Sequence, residues 1–181
     1  MPAHRLLLSL LLSCAVLAGI TGCGGGGSTS TNGTESPGES PTTQARRQKL
    51  AKTRFVANAG LAAGATYQWI VKPYRAGKFK KGADGRTSAL VKAGLAGGFA
   101  YNRLKAATAN AKGDPLLSKA VAPLTSGIDS LKGLGEKLRR GQASESDVGA
   151  FENVINNIKG AGHSAGVDVK DKVPSTSQLG G

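Results

Sequence analysis

Cys14 and Cys23, with His4 and His163, are the only thiols and imidazoles in this chain. Four such side chains, three of them within the first 23 residues, do not make a Cys/His zinc cluster or a Ser-His or Cys-His relay. No G-x-x-x-x-G-K-[ST] loop occurs, and no glycine-rich dinucleotide fingerprint follows a strand pattern. Acid–base work would fall to carboxylates such as Asp114, Asp129, Glu136, Glu145, Asp147 or Glu152. We expect no catalytic residue, no metal site and no dissociable cofactor; His163, between Gly and Ser, is expected to be a solvated tail residue. Cations are plentiful. The chain has 24 Lys and Arg against 11 acids, a net +13. From Gln44 to Lys112, 15 cations meet one acid, Asp84, whereas from Gly113 to Val173 there are eight of each sign.

The densest basic stretch is KPYRAGKFKKG, in which Tyr74 and Phe79 stand among Lys72, Arg75, Lys78, Lys80 and Lys81. Cations interleaved with aromatics suit an anionic surface, because charge attracts it and rings insert or stack. The five cations are candidate anion contacts, and the two rings are candidate interface aromatics. A solvated connection with both rings folded back on the helices is the competing reading.

Cys23 carries the most specific chemistry. Arg5 and the amino terminus precede an apolar run from Leu6 to Ile20, at the upper length of a secretory signal and short for a membrane span. Ile20-Thr21-Gly22-Cys23 resembles the lipobox of bacterial lipoproteins. The resemblance implies cleavage between Gly22 and Cys23, a diacylglycerol on the Cys23 thiol and often an acyl group on the new amino terminus. It covers the export signal alone. Two alternatives stay open: an ordinary signal cleaved nearby, leaving Cys23 a spare thiol, and a second lipobox at Cys14, where Leu12 and Ser13 fit poorly. A lipoprotein would be anchored by its lipid to the outer face of the cytoplasmic membrane, since two or three acyl chains hold where one does not.

The elements that would position these groups come next. Residues 1–22 are the expected signal and 23–43 the lipidated cysteine with a Gly/Ser/Thr/Pro tether, which has too little apolar surface to build a core. A helix is expected over Gln44–Val71, ended by Lys72-Pro73, because the residue before proline leaves the helical region. Thr87 or Ser88 would cap a second helix reaching Lys112. Asp114 as N-cap and Pro115 at the first position start a third helical region up to Arg140, divided near Pro123. Ser144 and Asp147 begin a fourth helix, with Val148, Phe151, Ile155 and Ile158 on one face and an end at Gly160 and Gly162. The expected fold is all-α, a small bundle of about four helices over 44–162, with a disordered tail at 163–181.

One pattern repeats. Aligned from Phe55 to Gln68 and from Ala89 to Asn102, six of fourteen positions agree, including Tyr67 with Tyr101. Each copy holds a G-x-x-x-G, Gly60 with Gly64 and Gly94 with Gly98. Residues four apart share a helical face, so each pair makes a groove for a close backbone. The second copy is uncharged over only ten residues, between Lys92 and Arg103, too few for a span of about 20. The grooves are therefore expected at the interface of a packed helical hairpin.

The functional expectation is an exported, lipid-anchored envelope protein whose basic helical domain binds without catalysis. Candidate partners are anionic lipid, an anionic wall polymer or an envelope protein, with no specific nucleic acid. A scaffold or inhibitor-like protein-binding module is the second reading, and an enzyme with a carboxylate site the third.

Overall fold

Alanine, the best helix former, fills the two longest elements, and both form without interruption. A computed structural model describes residues 40–180; Gly22, Cys23, the expected signal and most of the expected tether lie outside them. The described residues are all-α, with no strand among them. Helix α1 runs Pro41–Thr66 and α3 runs Arg86–Ala111. Ala59, Ala62 and Ala63 of α1 share one core cluster with Ala93, Ala96 and Ala100 of α3. Methyl-sized side chains let these helices lie close, and the larger groups Phe55, Ile70 and Leu104 fill the ends of the cluster, fully buried.

The start of α1 at Pro41 takes three residues from the expected tether. Its end also differs from expectation. The chain passes through a π-helical turn, Tyr67–Val71, into a short α2, Lys72–Arg75. Pro73 has no N–H to give and its ring would collide with the turn before it. Widening that turn so that the Lys72 N–H donates to the Tyr67 carbonyl absorbs the ring, and the helix continues instead of stopping. Nor do Thr87 and Ser88 cap α3: Gly85, at φ +70°, precedes its first residue, and no side chain caps it.

The next two starts follow the sequence. Asp114 caps α4, Pro115–Val121, by accepting from the Leu117 N–H at 2.9 Å. A 3₁₀ turn at Ala122–Leu124 contains Pro123, and α5 (Thr125–Ser130) and α6 (Leu134–Arg139) complete the divided third region. Ser144 and Asp147 form a reciprocal capping box on α7, Glu145–Ser164. Val148, Phe151, Ile155 and Ile158 are buried along it. Gly160 and Gly162 do not stop the helix, which runs on to Ser164.

The tail expected to be disordered is built into the fold. After a turn at Ala165–Gly166, residues 167–175 cross α1 without helix or strand, and α8, Thr176–Leu179, closes against α3. Val169, Pro174 and Leu179 are buried. The Lys172 N–H donates to the Gly60 carbonyl at 2.9 Å, Lys52 Nζ to the Ala165 carbonyl at 3.0 Å and Trp69 Nε1 to the Pro174 carbonyl at 3.4 Å. Asp171 pairs with Lys159. The segment is polar because it is one chain thick, and the backbone it covers does the burying. His163 is exposed in the last turn of α7, within this ordered region.

The repeated glycines are not the hairpin interface. Gly60 and Gly64 face the C-terminal segment: a Cβ on Gly60 would stand 2.5 Å from the Lys170 carbonyl oxygen, and one on Gly64 would strike the Lys172 carbonyl. In the second copy Gly94 and Gly97 receive α6, with a Gly97 Cβ 2.7 Å from the Gly135 Cα. Gly98 is exposed, and a Cβ there would meet nothing within 4 Å. The hairpin is packed by alanines, and the glycine grooves seat a third layer on its outside.

Gly64→Ala should therefore lower stability by about 1–3 kcal/mol through overpacking against the tail, while Gly98→Ala should raise it by about 0.5–1 kcal/mol. Urea denaturation of the two variants beside the parent checks both signs; equal losses at the two positions would restore equivalent packing roles.

Candidate anion-binding site

Trp69 lies on the π-helical turn and, with residues of the following loop and of α3, lines the first cleft. It has a volume of about 430 Å³ and is lined by Trp69, Lys72, Lys78, Asp84, Ser88 and Lys92 among others. Lys92 Nζ lies 5.6 Å from the centroid of the Trp69 ring, within reach of a cation–π contact. Because Gly85 offers no capping side chain, the positive end of the α3 dipole is uncovered beside the same cleft.

On the other side of the loop, a cleft of about 600 Å³ is lined by Tyr74, Arg75, Phe79, Lys80, Leu138 and Glu145, among others. Tyr74 and Phe79 meet edge to face, with centroids 6.0 Å apart, and both pack partly buried against the core. They are not presented as a pair of rings for insertion. Arg86 Nε donates to the Phe79 carbonyl at 3.0 Å and ties the loop to the first turn of α3.

The five predicted cations divide. Arg75 donates to Glu152 Oε1 at 2.7 Å, a partly solvated pair that neutralises it locally. Lys72, Lys78, Lys80 and Lys81 are exposed, and no acid stands within ion-pair distance of any of them among the described residues. Four uncompensated ammonium groups on one short connection give a local positive field. Sequence reasoning left out Trp69 and Lys92. Trp69 is three residues before Lys72 on a helix, a spacing that places both on one face; Lys92 joins them through tertiary packing alone.

The carboxylates considered for acid–base work are scattered among structural tasks. Asp129 accepts from Lys105 at 2.9 Å and raises the lysine above its ordinary value by that hydrogen bond and charge. Glu136 is held below the ordinary carboxylate value by hydrogen bonds from Arg139 and Arg140. Glu152 holds Arg75, Glu145 lines the Tyr74 cleft, and Asp147 belongs to the α7 cap. Asp114 is 3% exposed, caps α4 and stands 3.7 Å from Lys52 Nζ. It shares a cleft of about 640 Å³ with Asp168, Lys49, Lys52 and Lys172. No group of three His, Cys, Asp or Glu side chains able to hold a metal occurs among the described residues, and no helix there is long and apolar enough to cross a membrane.

No family model, curated protein or solved structure matches the chain.

Asp147, in the cap of α7, gives the fold a pH test. The Ser144 N–H bonds its carboxylate and, with Lys137 nearby, holds it below the ordinary value of 3.8. A carboxyl depressed in the folded state contributes stability that is complete above its unfolded pKa and lost as pH falls through the folded one. Asp147→Ala should cost about 1 kcal/mol at neutral pH, read as a lower melting temperature. The gap between variant and parent should close as the pH drops below about 3.8; a gap independent of pH would remove the charge from the account.

Proposed function

We propose that this chain is an exported, lipid-anchored protein of the bacterial cell envelope and that its helical domain binds an anionic polymer of the wall without catalysing a reaction. The observation that carries the binding is the set of lysines at 72, 78, 80 and 81, exposed and free of acid partners among the described residues, beside the Trp69 and Lys92 cleft. The anchor is supported by Ile20-Thr21-Gly22-Cys23 and by the Gly/Ser/Thr/Pro composition that follows it. Cys23 would carry the covalent diacylglycerol and, as is common with such anchors, an acyl group on its amino group.

Position favours a polymer over the leaflet as partner of this loop. The chain from Cys23 enters α1 at Ser40, and the loop begins at the other end of that helix, on the order of 45 Å away at 1.5 Å per residue. Attraction to headgroups fades within a Debye length of about 8 Å. A phosphate-rich polymer standing off the membrane meets the loop without the domain lying flat. With the rings turned inward, the recognition is by ammonium groups, which follow a repeating anion without fixing its sequence.

Two measurements test this. Mass spectrometry of the mature amino terminus should find a diacylglyceryl group on Cys23; an unmodified thiol would sink the localisation. Binding of the mature chain (residues 23–181 with Cys23→Ser) to a glycerol-phosphate polymer should be strong at low salt and vanish near 0.5 M. Replacing Lys72, Lys78, Lys80 and Lys81 by Gln should weaken it at least tenfold, from about 1 kcal/mol per cation near an anionic surface. Binding indifferent to salt and to the four lysines would contradict the proposal, and stoichiometric capture of one envelope protein would favour the scaffold or inhibitor reading.

A further inference from the structure

The cleft of about 640 Å³ that Asp114 lines has a chemistry unlike that of the lysine loop. Helix α1 contributes Lys49, Lys52 and Val56, and the C-terminal segment contributes Val167, Asp168 and Lys172. Asp114 is the unusual member. Its side chain is 4% exposed, and a carboxylate so far from water needs partners for both oxygens. Oδ1 accepts from the Leu117 N–H at 2.9 Å. Among the described residues Oδ2 has only Lys52 Nζ, at 3.7 Å, well beyond the ~2.8 Å of a charge-assisted hydrogen bond. Lys52 gives its hydrogen bond to the Ala165 carbonyl instead, at 3.0 Å. Oδ2 therefore keeps the capacity to accept from a second cationic donor. Lys49 and Lys172 are exposed, and no acid stands within ion-pair distance of either among the described residues. Three lysines and two acids leave the cleft close to neutral, so a polyanion gains little there. A ligand carrying both signs gains at both.

We propose that this cleft binds a small zwitterion, a dipeptide-sized ligand with its free amino group at Asp114 and its free carboxylate at Lys172. The spacing suits that size. The Lys172 N–H donates to the Gly60 carbonyl, which fixes the residue eight positions beyond Lys52, about 12 Å along α1. From there its flexible four-carbon stem lines the cleft. Two residues of extended chain span at most about 7 Å, a length that bridges Asp114 and an ammonium carried on such a stem. Val56 and Val167 pack partly buried against the core between these charges and offer a surface for small apolar side chains. The site is separate from the lysine loop and does not depend on the lipid anchor.

The test is a titration of the mature chain (residues 23–181 with Cys23→Ser) with alanyl-alanine, followed by amide shifts in nuclear magnetic resonance. Shifts should centre on Val56, Ala57 and Val167. N-acetyl-alanyl-alanine and alanyl-alanine amide, each lacking one charge, should both bind at least tenfold more weakly, the effect of losing a hydrogen bond to a charged group. Asp114→Asn should also weaken binding about tenfold, because Asn caps a helix as well as Asp but offers no charge. Lys172→Gln, at an exposed position, should weaken it at least threefold and keeps the test sharp if Asp114→Asn fails to fold, which circular dichroism reports. The acetylated peptide binding as well as the free one, with Asp114→Asn binding it more tightly, would make this a simple anion site and overturn the inference. The amide binding as well as the free peptide would overturn it too. So would the absence of shifts up to about 50 mM peptide, while polymer binding by the loop would stand unaffected.

Discussion

Backbone lies directly on backbone at two places, and the third layer of this domain depends on both. Gly60 and Gly64 admit residues 170–173 against α1, and Gly94 with Gly97 admits Gly135 and its helix against α3. Each glycine in a helix interior costs about 1 kcal/mol relative to alanine. The return is dispersion contact at separations no side chain would allow, and at Gly60 a hydrogen bond from the Lys172 N–H. Without these grooves the α1–α3 pair would still have its alanine seam, but the C-terminal segment, α8 and α6 would have no surface to meet.

That dependence decides where the charge can go. Alanine and glycine carry the packing, so the long side chains of the basic half are released to the surface. They collect at the two ends of the α1–α3 pair. At one end the π-helical turn and Pro73 set up a lysine loop beside Trp69 and Lys92; at the other, Gly113 pins α4 to α1 beside a cleft that Lys112 and Lys119 help to line. Of the acids of the second half, Glu136 binds Arg139 and Arg140 locally, while Asp129, Glu152 and Asp114 reach across to Lys105, Arg75 and Lys52 of the basic half. The first half keeps a surplus of cations after these pairings, and the segregation arises from which side chains the packing leaves unused.

Features set by a few neighbouring residues were legible in the sequence. The Asp114-Pro115 start, the Ser144–Asp147 capping box and the apolar face of α7 depend on hydrogen bonds or spacings within one or two turns. The all-α class follows from them. Features set by distant partners were not. The tail from Ala165 onward is polar, so composition suggested disorder; its order comes from a groove about a hundred residues earlier that carries no side chains to announce it. Gly98 and Gly64 occupy matching positions of the repeat and have unlike surroundings, because the partner of each is supplied by tertiary structure. Pro73 reads locally as a stop, and the chain widens one turn instead. At the candidate site the lysines were evident, but the fate of Tyr74, Phe79 and Arg75 was fixed by Glu152 and the core, elements that the local pattern does not contain.

The central claim is that glycine grooves on α1 hold the C-terminal segment as part of the domain. Native-state amide hydrogen exchange at Lys172 tests it most directly, because that N–H has the Gly60 carbonyl as its partner. The account predicts protection of Lys172 close to that of the α1 amides around Ala63, lost on cooperative unfolding. Exchange of Lys172 at the rate of an unstructured peptide, with α1 still protected, would contradict it.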